Sequence, residues 1–168
     1  TLTPHDEGFS VHLSQARLDL PPPALPGPHQ MVNAGAAAAA LMLLQGQFPL
    51  SPAHMAQGIR SAHWPARLQN MTMHWPGDLL QGWEIWLDGA HNAHAAQAIA
   101  AQIKQWNDKP LHLFVGMMGH KDARAFLTPL LVHIQSLNLC PIPGTEQAMS
   151  ITSLKAALPD DYPVQETP

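Results

Sequence analysis

The sequence predicts an α/β protein: a Rossmann-like, mostly parallel sheet flanked by helices, preceded by a separate region of one strand and helices. Three observations carry that prediction. From about residue 83 onward, strand and helix patterns alternate, the order that gives parallel strands joined by right-handed crossovers. Leu111 to Val115 is a nearly continuous apolar run, of the kind buried on both faces of a parallel sheet. Upstream, a long Ala-rich helical stretch replaces the alternation, which sets a domain boundary near Ser61 to Trp64 and divides the chain into regions 1–62 and 63–168.

Each element has a local reason. Phe9, Val11 and Leu13 alternate with Ser10, His12 and Ser14, the period-two pattern of a half-buried strand. Pro21, Pro22, Pro23, Pro26 and Pro28 then form an extended connector, because proline fixes φ and removes a donor. His29 to Leu44 is rich in Ala and Leu and reads as a helix, with Gly46 placed to end it. A second helix is expected from Pro52 to about Arg60, with Ser51 as its N-cap and Pro52 at its first position. Leu68 to Met73 reads as a strand that stops at the turn Pro76-Gly77-Asp78. Trp83, Ile85 and Leu87 form a short strand ending in Asp88-Gly89, and Asn92 to Trp106 is an amphipathic helix with Ala95, Ile99, Ile103 and Trp106 on one face. After the strand at Leu111 to Val115, a helix begins near Asp122 and presents Leu127, Leu130, Leu131 and Ile134, with Pro129 expected to kink or break it. Ser136 to Leu139 is a further strand, and a short helix covers Ser153 to Leu158.

Composition narrows the class. Of the 168 residues, 46% are hydrophobic and 12% are charged, enough apolar material for a core and too little charge for a disordered chain. Eight Lys plus Arg and a net charge of −4 leave no basic stripe, which argues against nucleic-acid binding. The single cysteine, Cys140, cannot form an internal disulfide and fits a reducing, cytoplasmic setting; within its apolar run it reads as a buried small hydrophobe. Ala34 to Leu44 is too short to span a membrane, and Thr1 to Ser10 lack a signal-peptide pattern. The sequence opens without Met and in mid-pattern, as expected for a piece of a longer protein.

Four segments can carry chemistry. Asp88-Gly89-Ala90-His91-Asn92 lies between the carboxyl end of a strand and a helix N-terminus, where open α/β sheets bind ligands and free N–H groups favour an anion. There Asp88 can hold sugar hydroxyls while His91 and Asn92 donate to phosphates or an oxyanion; equally, Asp88 and Asn92 can simply cap the helix. In Trp64-Pro65-Ala66-Arg67-Leu68-Gln69, the Arg67 guanidinium beside a proline-stiffened bend matches phosphate oxygens, although a partnerless surface Arg is commoner. Gly116 to Asp122 follows a strand expected on the same sheet edge as Asp88; Lys121 can receive a substrate carboxylate, or stand solvated beside the cap Asp122. Asn33, one turn into the Ala-rich helix, has no capping task and poor propensity, so it can read a base edge or simply be exposed. His91 and His94 share a spacing that suits a metal, yet no carboxylate cluster completes a site, and no metal is expected on this chain. Neither a GxxxxGK[ST] loop nor a GxSxG elbow is present in the sequence.

In this order, His29-Gln30-x-x-Asn33-Ala34, Trp64-Pro65-x-Arg67-Leu68-Gln69, Leu87-Asp88-Gly89-Ala90-His91-Asn92-x-His94-Ala95-Ala96 and Gly116-Met117-x-x-x-Lys121-Asp122 resemble the folylpolyglutamate synthase/dihydrofolate synthase family of the Mur-ligase superfamily, with Leu25-Pro26-Gly27 matching as well. The resemblance implies the C-terminal, glutamate-ligase part of an ATP-dependent ligase, preceded in 1–62 by the tail of its ATPase domain and cut short at its end. It implies that a substrate carboxylate takes the γ-phosphoryl group of ATP and that the amine of L-glutamate then attacks, giving dihydrofolate or folylpolyglutamates. By motif, Asn33 would contact adenine, Arg67 the phosphates and Asp88 the ribose. His91 would lie near the phosphates or the incoming amino acid, and Lys121 near the glutamate carboxylate, with Arg67 and His91 the residues closest to catalysis. The family's P-loop and Mg2+ ligands lie mainly in an N-terminal domain, so this chain alone is expected to be inactive and the full-length enzyme monomeric. Two departures stand out: Ala66 and Ala93 replace the family's usual Gly and Pro, and Ala66 would restrict the bend that aims Arg67. The alternatives are a Mur-type ligase acting on a peptidoglycan precursor or a poly-amino-acid, and a non-catalytic, Rossmann-like nucleotide-binding module.

Overall fold

The structure, a computed structural model, describes residues 1–14, 16–72, 82–106 and 109–166. It divides into two compact units after Gly89.

The first unit opens with an antiparallel meander, β1 (Leu2–His5), β2 (Gly8–Leu13) and β3 (Ala16–Leu20), in that spatial order. Phe9 pairs with Leu20 and Val11 with Leu18, so alternation places all four on one face, where they are buried. Helix α1 (Pro28–Leu43) adds Ala38 to this core and helix α2 (Pro52–Ser61) adds Met55. Each large side chain taken out of water here contributes about 1.5–3 kcal/mol. On the other face, the Ser10 hydroxyl and the Arg17 guanidinium both donate to Asp19 Oδ1 and hold its carboxyl below the usual carboxylate range. The expected strand at Phe9–Leu13 is present, and two flanking strands join it. Ser51 caps α2 as its sequence implies, its hydroxyl accepting the His54 amide at 3.2 Å, with Pro52 in the first turn.

A two-stranded antiparallel ribbon closes the first unit: β4 (Gln69–Asn70) against β5 (Trp86–Leu87), with Gln69 opposite Leu87. This corrects the expectation that the strand ending at Leu87 belongs to the parallel sheet. A strand of that sheet needs cover on both faces, whereas Trp83 and Leu87 are 50% and 48% exposed. The expected turn at Pro76-Gly77-Asp78 lies outside the described residues.

The second unit is the α/β part. Its elements are α3 (Ala93–Ile103) with a 3-10 turn at Lys104–Trp106, β6 (His112–Val115), α4 (Ala123–Leu131), β7 (Ser136–Leu139), α5 (Ile151–Ala156) and β8 (Gln165–Glu166). The sheet runs β6-β7-β8, all parallel, with Leu113 opposite Leu137 and Val115 opposite Leu139. Leu127, Leu137, Leu139 and Leu154 are fully buried with Ala96 and Phe126 around them. Helix α4 runs through Pro129 and stops two residues later at Leu131. The proline therefore stands in the last turn, and Ile134, expected on the helix, packs against the core from beyond it.

Candidate functional site

Arg67 sits at the crest of a bend whose two neighbours both have positive φ, Ala66 at 54° and Leu68 at 43°. An L residue in the left-handed region costs roughly 1–2 kcal/mol, so such a pair persists only where the surroundings over-determine it. Four hydrogen bonds do so. The Ala66 amide donates to Gln69 Oε1 at 3.0 Å, and the Leu68 amide donates to Asp88 Oδ2 at 2.7 Å. The Ala66 carbonyl accepts the Gly89 amide at 2.9 Å and Arg67 Nη1 at 3.3 Å. Leu68 is buried, which anchors the bend from below, while Arg67 is exposed. The β4–β5 pairing supplies the frame, because Gln69 lies opposite Leu87 and Asp88 follows directly. Gly89 allows a close approach: a Cβ there would lie 3.3 Å from Arg67 Nη1, tighter than usual contact.

The first turn of α1 lies against this bend. At Gly27, whose φ is 108°, an added Cβ would lie 3.2 Å from Leu68 Cδ1. From that turn a side-chain chain runs inward and out again. Buried Gln30 bonds the His29 ring through Nε2 at 3.0 Å and accepts Asn33 Nδ2 on Oε1 at 3.1 Å. Asn33 is exposed and oriented by that bond. The structure thus brings Arg67 and Asp88 together, with Asn33 on the helix that starts beside them.

His91 and Lys121 stand in the second unit, on separate loops. Exposed His91 precedes Asn92, which is the N-cap of α3 and accepts the Ala95 amide at 2.9 Å. Asp122 does the same for Ala125 at the start of α4, also at 2.9 Å. Asn92 and Asp122 are thus the helix caps, while Asp88 accepts the Leu68 amide in the bend. Lys121 is half-buried in a turn closed by its own amide donating to the Met118 carbonyl at 3.0 Å. Asp88 follows β5 and Lys121 follows β6, so the expected shared sheet edge is corrected: the two strands belong to different sheets. Gln69 stands in the motif without a role of its own, while Ala66 is expected only to restrict the bend. Their part depends on backbone angles, and only the missing glycine at 66 signals it.

The residues of the first unit fit a nucleotide by donor set. An exposed guanidinium suits phosphate, a carboxylate suits hydroxyls, and a carboxamide suits a base edge. Gly89, with no Cβ, keeps the space beside the guanidinium open. A metal does not fit in the same way: among the described residues, no group of three or more His, Cys, Asp or Glu is placed to hold one. Nor is any described helix long and apolar enough to cross a membrane.

Comparison with known proteins gives these residues a context. Residues 66–165 match the Mur ligase, glutamate ligase domain family. A folylpolyglutamate synthase of Lacticaseibacillus casei is 31% identical over 105 residues, covering 62% of this chain and 23% of that protein. A bifunctional folylpolyglutamate synthase/dihydrofolate synthase from Yersinia pestis, solved with AMPPNP and Mn ion, superposes with a TM-score of 0.72 at 26% identity, covering 96% of this chain and 35% of its own. Another bifunctional enzyme of this name, with Mn, AMPPNP and L-glutamate bound, gives 0.72 at 25% identity, covering 97% of this chain and 36% of its own. The chain therefore spans well under half the length of the relatives it matches. With its α/β fold and this match over more than half of its residues, the chain belongs to the Mur ligase, glutamate ligase domain family.

Proposed function

We propose that this chain supplies the glutamate-ligase part of an ATP-dependent, ADP-forming ligase that joins L-glutamate to dihydropteroate or folates. The observation that carries the reading is the family match, which begins at residue 66, the first residue of the strained bend that presents Arg67. A substrate carboxylate attacks the γ-phosphorus of ATP, giving an acyl phosphate and ADP. The amine of L-glutamate then adds to the acyl carbon, and the tetrahedral intermediate expels phosphate to leave an amide. Little covalent work falls to the protein, so positioning and charge neutralisation dominate.

In this reading Arg67 binds the phosphates, Asp88 accepts from the ribose, and Asn33 reads adenine. His91 acts near the phosphates or the incoming amine, and Lys121 receives the glutamate carboxylate. Magnesium, held by groups outside the described residues, would supply further charge neutralisation at the phosphates. Residues 1–62 belong to the ATPase domain and 63–168 to the ligase domain, which the start of the match at residue 66 supports. The full-length enzyme works as a cytoplasmic monomer, and residues 1–168 alone are inactive.

The test is ADP release by the full-length protein. Release should require both dihydropteroate, or a folate, and L-glutamate. No turnover with both present would sink the folate assignment.

A further inference from the structure

We infer that Gln69 is a positioning residue: its side chain, clamped onto the Ala66 amide, holds the left-handed bend that aims Arg67. The inference rests on the proposed role of Arg67 at the phosphates and adds a residue to which no role attaches so far.

Alanine at position 66 carries a conformation that glycine adopts freely, at φ 54°. The chain must recover that cost from contacts, and the amide of the strained residue itself has one acceptor, Gln69 Oε1 at 3.0 Å. Gln69 can reach it because its own backbone is fixed in β4 opposite Leu87. On the far side of Arg67, Asp88 takes the Leu68 amide. Arg67 is thus the one residue between two amides that each donate to a side chain, one on β4 and one directly after β5. Asp88 is shared between that duty and its proposed place in the site. Gln69 points at the bend, three residues back along the chain, so its whole effect on ligation passes through Arg67. Loss of the clamp lets the guanidinium wander by an ångström or so, a displacement that costs about a hundredfold in a positioned reaction.

The experiment uses the full-length protein with Gln69→Met, Gln69→Glu and Arg67→Ala, singly and with Gln69→Met combined with Arg67→Ala. Methionine keeps the length and loses the acceptor; glutamate keeps both. Gln69→Met should lower kcat/KM for ATP by about ten- to a hundredfold, leave the KM for L-glutamate within about twofold, and be rescued by Gln69→Glu to within about threefold. In the Arg67→Ala background, Gln69→Met should cost nothing further, since the two act as one unit. Fully additive losses, or a Gln69→Met protein with normal ATP kinetics beside a defective Arg67→Ala protein, would overturn the inference alone. Normal ATP kinetics in Arg67→Ala would overturn the nucleotide reading and the inference with it. Should Gln69→Met not fold, the Gln69→Glu protein decides: activity near wild type supports an acceptor role, and a loss equal to that of Arg67→Ala overturns it.

Discussion

Two bends in this chain each present one basic side chain, and they are built on opposite principles. The Ala66–Leu68 bend holds Arg67 between two residues in the left-handed region, and its side-chain ties come from Gln69 on the paired ribbon and from Asp88 directly after it. The Gly116–Asp122 bend holds Lys121 with no residue at positive φ, closed by ordinary backbone bonds from Lys121 to Met118 and from Gly119 to the Gln147 carbonyl. In each, an aspartate lies close by, but Asp88 restrains the bend whereas Asp122 caps the following helix. Strain is therefore concentrated at one of the two cations. A planar guanidinium that must meet phosphate oxygens in a fixed orientation gains from such restraint, and a flexible ammonium that acts as a point charge does not.

The sharpest way to break this comparison is to remove the two cations in turn. In the full-length protein, Arg67→Ala should lower kcat/KM for ATP by about a hundredfold or more, as loss of a transition-state donor does. Lys121→Ala should act on the KM for L-glutamate, by about tenfold, the scale of one charge-assisted bond. Steady-state kinetics with each substrate varied checks both, and a swapped pattern would reverse the assignment of the two bends. Next in size, Asp88→Ala leaves the Leu68 amide without its acceptor and should cost about 1–3 kcal/mol in urea unfolding. Asp122→Ala removes an exposed cap and should cost about 1 kcal/mol. If the two aspartates cost the same, the distinction between restraint and cap would lose its energetic basis. The smallest effect belongs to Ala66→Gly, which should raise stability by about 0.5–1 kcal/mol, the left-handed cost less the added chain entropy. A destabilised Ala66→Gly protein would show that the bend holds no strain.

How much of this was legible in the sequence follows the range of the interactions. Helices α1 to α4 and their caps at Ser51, Asn92 and Asp122 rest on contacts a few residues apart, so composition and capping chemistry reveal them. Strand β2 shows its alternation, but β1 carries Pro4 and β3 carries Arg17 and Asp19 on its exposed side, which blurs the pattern on either side. Strand β8 is two residues long and has no pattern to read. The misplaced strand at Trp86–Leu87 has the apolar content of a parallel strand, and only its partner, Gln69–Asn70, tells otherwise. Arg67 and Asp88 stand out in the sequence by chemistry and by resemblance, but their shared bend does not. The bond between Asp88 and the Leu68 amide spans 20 positions, and no local rule predicts it.

That span also says when the bend can form. In an unfolded chain Ala66 and Leu68 disfavour the left-handed region, and their acceptors at Asp88 and Gln69 are not yet in place. The conformation must therefore wait for the β4–β5 ribbon to zip, after the entropy of bringing its two strands together has been met. The Leu68 amide is then a timer for the site: its protection from solvent exchange should arrive with ribbon closure and vanish with ribbon opening. Until those two strands meet, nothing fixes the direction in which Arg67 points.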